Sequence, residues 1–164
     1  MKENRSNSAE ASPLKDKIKH VLTEARMVLP GAQALLGFQF AIFLMETFDK
    51  IPDSSKYIHL TSLVFTALCI ILLMTPAAYH RIVEEGENTE SFYQLASRMV
   101  LAAMVPLALG LSGDFYIVIR QVTSSIYLGI AGASSLLIFF YGLWFGFTLY
   151  LKNHRSAQMI RLEG

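Results

Sequence analysis

The chain has 164 residues, 53% of them hydrophobic and 16% charged, where a soluble domain carries about a quarter of charged residues. A formal net charge of +1 gives no electrostatic basis for nucleic-acid binding, and a single cysteine, Cys69, excludes a disulfide framework or a thiolate metal site. Four long apolar runs dominate, at residues 27–48, 57–79, 99–119 and 126–151. Each matches the roughly 20 helical residues that cross a bilayer core. Leu63–Met74, Val100–Leu111 and Leu136–Leu151 are apolar or small all the way round. A soluble helix needs a wet face, so a water-soluble bundle is excluded.

Residues 1–13 are rich in Ser, Asn and Glu and end in Ser12-Pro13, a composition expected of a disordered tail without an apolar signal segment. From Leu14 to Arg26 the pattern becomes amphipathic. Leu14, Ile18, Val21, Leu22 and Ala25 share one helical face, with Lys15, Lys17, Lys19 and His20 off it. Such a helix suits the membrane surface.

Span one, 27–48, opens with Pro30-Gly31, where a kink or a fresh helix start is expected. Gln33 and Gly37 share one of its faces, and Gln39 and Glu46 another. An amide in hydrocarbon usually hydrogen-bonds a neighbouring helix, so Gln33, Gly37 and Gln39 are candidate packing residues.

Span two, 57–79, carries His59 near its start and closes with Thr75-Pro76-Ala77-Ala78-Tyr79-His80-Arg81. Positive charge is favoured at such a helix C-terminus. After an acidic turn, Phe92, Leu95 and Met99 return at helical spacing, so span three is predicted to begin as an interfacial helix near Ser91. Within it Ala102, Pro106, Gly110 and Asp114 recur every fourth residue, a narrow small-residue stripe that lets another helix approach. Two readings of Asp114 stand: a ligand for a proton or cation, or a cap where the span ends at Gly113. Span four, 126–151, carries Gly142-x-x-x-Gly146, a close-packing motif for membrane helices. Residues 152–164 form a short tail.

Eleven of the fourteen Lys and Arg residues flank one side: those from Lys2 to Arg26, Arg81, Arg98, and those from Lys152 onward. Lys50, Lys56 and Arg120 flank the other. The positive-inside rule then predicts both termini in the cytoplasm. Short connections favour antiparallel neighbours, so the expected fold is all-α, an up-down-up-down bundle of four transmembrane helices. Threading gathers the polar residues at two rims. Glu24, Arg26, His80 and Arg81 form a candidate ionic cluster at the inner rim. Glu46, His59 and Asp114 form a candidate titratable cluster at the outer one.

HExxH, GxSxG and GxxxxGK[ST] motifs are absent, and the four histidines lack ligand spacing. No enzymatic activity, cofactor or metal is expected.

Two stretches, Glu24-Ala-Arg26-Met-Val-Leu-Pro30-Gly31-Ala-Gln33-Ala-Leu-Leu-Gly37-Phe38-Gln39 and Leu73-Met-Thr-Pro76-Ala-Ala-Tyr-His80-Arg81, resemble a family of small four-span bacterial membrane proteins of unknown function. A weaker match covers Arg98–Pro106 and Gly110–Asp114. The resemblance implies residence in the bacterial cytoplasmic (inner) membrane, with Glu24, Arg26, Gly31, Gln33, Gly37, His80 and Arg81 as signature positions. Some of its members carry a sodium:proton antiporter label. Two functions stay open from the sequence: a structural or interaction unit that self-associates in the lipid bilayer, or an oligomeric transporter coupled to H+ or a monovalent cation. The nearly apolar midplane argues for the first, because coupling sites usually lie there.

Overall fold

The computed structural model describes residues 3–84, 87 and 89–154, with backbone alone for residues 3–12 and Thr47. It contains α1 (Glu3–Phe43), α2 (Glu46–Lys50), α3 (Asp53–Ile82), α4 (Glu90–Thr123) and α5 (Ile126–Tyr141). A π-helical segment, Gly142–Phe147, follows α5, and helix then continues to His154. Four stretches are long and apolar enough to cross a membrane: Pro13–Phe43, Asp53–Ile82, Glu90–Thr123 and Ile126–His154. The protein is an all-helical membrane protein.

Residue pairs between the helices give their directions. Arg120, near the end of α4, reaches Ser54 and Ser55 at the start of α3. His80, near the end of α3, packs against Phe92 at the start of α4 with ring centroids 4.6 Å apart. These two helices are therefore antiparallel. In α1, Ile18 and Val21 cluster with Phe92 and Ala96, while Gln39 meets Asp114, so α1 runs parallel to α4. Gly129 of α5 lies on Tyr116, and the Tyr141 hydroxyl reaches the Val105 carbonyl at 3.4 Å, which makes α5 antiparallel to α4. Direction thus alternates along the chain. α1, α3 and α4 form a closed trio, and α5 rests on α4 from outside it.

Small residues set the closeness of α3 and α4. Cys69 of α3 and Ala103 of α4 are buried in one cluster. A Cβ at Gly110 would stand 2.8 Å from Thr66 Oγ1 and 3.1 Å from the Ser62 carbonyl oxygen. At Gly113 it would collide with the Ser62 hydroxyl. Without a hydrophobic driving force between helices in lipid, such close contact supplies the packing energy. The stripe predicted at Pro106 and Gly110 is buried as expected, whereas Ala102 is exposed.

Several elements differ from expectation. Span one ends at Phe43 rather than at 48, because Met45 turns extended and Glu46 opens the separate one-turn α2. An acidic residue suits the N-terminus of a new helix better than the apolar end of an old one. No fresh helix starts at Pro30, since α1 passes through both Pro13 and Pro30. A proline removes one hydrogen bond from a membrane helix, and the flanking turns hold the rest. The tail expected over residues 1–13 is helical from Glu3, consistent with the good helix formers Ala9, Glu10 and Ala11. The apolar stripe of 14–26 covers protein rather than lipid: Ile18 and Val21 are buried against Phe92 and Ala96, with Leu14 and Leu22 packed on that cluster. Span three starts at Glu90, where Thr89 Oγ1 accepts the Phe92 N–H at 3.1 Å, one residue from the predicted start. Of the tail at 152–164, residues 155–164 lie outside the described residues.

Candidate functional site

At one end of the trio three helices each contribute one polar side chain. Gln39 of α1 and His59 of α3 are 1% and 2% exposed, and the Asp114 side chain of α4 is 21% exposed. Gln39 Nε2 donates to Asp114 Oδ2 at 2.7 Å. His59 Nε2 lies 2.9 Å from the Gln39 carbonyl oxygen. That oxygen can only accept, so Nε2 must carry a proton. His59 Nδ1 then faces Asp114 Oδ1 at 3.4 Å. One proton between these two atoms leaves the pair neutral as a whole, whichever atom holds it. Without it, a ring lone pair would face a carboxylate where little water screens them.

Local sequence explains the geometry. α3 buries Ser55, His59, Ser62, Thr66 and Cys69, a polar-to-small stripe at spacings of three and four. α4 continues past Gly113 to Thr123, so Asp114 lies inside the helix and does not cap it. The break after Phe43 folds α2 back so that Phe43 and Phe48 cover His59, with ring centroids at 5.1 and 5.8 Å. Above this layer Arg120 Nη1 donates to the Ser54 hydroxyl at 2.8 Å, to Ser55 at 3.0 Å and to the Tyr116 hydroxyl at 3.2 Å. Arg120 therefore bonds α3 hydroxyls and leaves Asp114 to Gln39 and His59.

Of the predicted outer cluster, His59 and Asp114 are together and Glu46 is apart. Glu46 is exposed on α2, since the helix break removes it from the line of α1. Gln39 takes the third place through the interhelical hydrogen bond expected of its amide. Its signal in the sequence was an amide deep in an apolar run.

The predicted inner cluster also divides. Arg26, His80 and Arg81 line one cavity of about 630 Å³ between α1 and α3. Glu24 lines a different cavity, of about 250 Å³, with Met104, Leu107 and Trp144. Residues two apart on a helix point to nearly opposite sides, which separates Glu24 from Arg26. His80 packs at a tilt against Phe92, and its buried Nε2 has no hydrogen-bond partner among the described residues.

The remaining packing candidates stay uncovered. Gln33 and Gly37 are exposed on α1. A Cβ at Gly37 or Gly142 would meet nothing within 4 Å, and at Gly146 only the Tyr141 carbonyl at 3.8 Å. The packing of α5 rests instead on Gly129, which opens the Gly129-x-x-x-Ala133 pattern nearer the outer end of span four, and on Gly132, which no motif marks. At Gly129 a Cβ would stand 3.0 Å from the Tyr116 ring, and at Gly132 it would collide with Ile119.

No curated protein and no solved structure matches the chain. A family model matches residues 9–148, and the chain belongs to that family of unknown function, DUF6328.

Proposed function

We propose that this member of a family of unknown function is a non-enzymatic protein of the bacterial cytoplasmic membrane, an interaction unit that self-associates through α1. One observation carries the reading: Gln33 is exposed in an apolar span and has no hydrogen-bonding partner among the described residues. Its neighbour Ala32 packs with Cys69 halfway along α3, which sets Gln33 at mid-depth. An amide facing hydrocarbon there gains roughly 0.6–2 kcal/mol from a partner on another helix. The same residue of a second copy supplies one, and Gly37 one turn on lets the two backbones approach. Both termini face the cytoplasm in this reading, on the strength of the Lys and Arg distribution.

Cross-linking in native membranes tests it. A Gly37→Cys variant in a Cys69→Ala background is expected to form a disulfide dimer, and adding Gln33→Leu should lower its yield severalfold. Cross-linking through Gly142→Cys instead would move the interface to α5 and overturn the assignment. A purely monomeric chain would overturn self-association itself. For the threading, a cysteine at Ser54 should label from outside and one at Glu87 only from inside.

The second reading, exchange of H+ or a monovalent cation, is favoured by the His59–Asp114 pair. Against it, Gln39 bonds both members of that pair and the Phe43 and Phe48 rings cover His59. Cation-dependent proton flux into liposomes, lost in Asp114→Asn, would establish the transporter in place of the interaction unit.

A further inference from the structure

The cavity between α1 and α3 combines two chemistries. Arg26, His80 and Arg81 line it together with Leu29, Leu73 and Met74. Its mouth faces outward, since Arg26, Met74 and Arg81 are exposed. Among the described residues neither arginine has a carboxylate partner, and His80 Nε2 is buried without a hydrogen bond. The volume of about 630 Å³ falls in the range of small-ligand sites.

Position along the helices narrows the occupant. Arg26 immediately precedes the apolar run of α1, and His80 and Arg81 immediately follow that of α3. The charges therefore meet at one edge of the hydrocarbon layer, and the apolar lining leads from them towards its middle. Guanidinium groups bind phosphate through paired N–H donors, and basic pockets between membrane helices suit anionic headgroups. A small soluble anion would use the charges and leave the apolar half uncovered.

We infer that the groove between α1 and α3 is a binding site for an anionic phospholipid, its phosphate held by Arg26 and Arg81 with His80 beside them, and its acyl chain lying along Leu29, Leu73 and Met74. The site needs only one copy of the chain and does not rest on the self-association reading, although Arg26 and Leu29 lie seven and four residues before Gln33 on the same side of α1.

Native mass spectrometry of the full chain tests this, with phosphatidylglycerol, phosphatidylcholine and inorganic phosphate as probes. Phosphatidylglycerol is expected to be retained about tenfold better than phosphatidylcholine, with no retention of phosphate. Arg26→Gln with Arg81→Gln should lower that retention on the order of thirtyfold. Ala77→Trp, at an exposed lining position, keeps both charges, blocks the groove, and should also lower it. Circular dichroism checks that each variant folds, and the Ala77 variant carries the test if the double variant does not. Equal retention of the two lipids would overturn the inference, as would undiminished phosphatidylglycerol binding in either folded variant. Retention of phosphate as strong as that of phosphatidylglycerol would make this a soluble-anion site and overturn the lipid assignment.

Discussion

The two ends of the α1–α3–α4 trio start from similar ingredients and finish differently. At the Asp114 end, the two titratable groups face each other from α3 and α4, and Gln39 of α1 bonds both. At the Arg26 end, the charged groups share a sign, line a cavity and face outward. The difference is one of sign and azimuth. A carboxylate and an imidazole on facing helices neutralise each other, and the dry interior then tolerates them. Two guanidinium groups on neighbouring helices cannot, so that end stays wet or holds something anionic. The polar layer that looks most like a reaction centre is thus the one that closes on itself.

Substitutions can break this contrast, and the clasp should yield the largest effect. Asp114→Leu strands His59 and the Gln39 amide, and is expected to destabilise by about 3 kcal/mol, the range for breaking a buried pair. Adding His59→Leu should recover part of that loss in denaturation followed by circular dichroism. A double variant no better than the single would show that the pair is not the source of the effect. Next comes the contact beneath the clasp. Gly110→Val drives a side chain against the Ser62 carbonyl and Thr66, for a loss of about 2 kcal/mol. Gly142→Ala, in open space, should be neutral or slightly stabilising by helix propensity. The third effect is smaller. Thr89→Ala removes the N-cap of α4, worth about 1 kcal/mol. Smallest of all, Arg26→Gln with Arg81→Gln should shift stability by less than about 0.5 kcal/mol in detergent free of anionic lipid. A large loss there would mean that the groove is structural and the contrast false.

Depth was legible in the sequence and azimuth was not. The apolar runs mark where each helix lies along the membrane normal, so His59 and Asp114 could be set at one level from hydropathy alone. Nothing in a uniformly apolar span says which side meets a neighbour. Only small residues break that symmetry, and they do so ambiguously. Gly110 proved to be a contact, whereas Gly37, Gly142 and Gly146 are open to the surroundings. Gln39 shows the same limit: that its amide would bond a neighbouring helix was legible, but not that the partner is Asp114. The break at Leu44–Met45 carries no glycine or proline to announce it, and it separates Glu46 from the cluster it was expected to join. The stripe of residues 14–26 was read correctly as a face. Its partner was not, because an apolar face fits a membrane surface or another helix equally well.

The length of α1 has a consequence for how the molecule could come apart. Its 41 residues extend roughly 60 Å, about twice the hydrocarbon thickness. The cluster of Ile18, Val21, Phe92 and Ala96 precedes the apolar runs of α1 and span three, so it packs in a collar outside the lipid, where water drives burial as it does in a soluble domain. One continuous helix therefore belongs to two solvents. Urea should loosen the collar while the lipid-embedded contacts hold, and unfolding should proceed in two steps along a single rod.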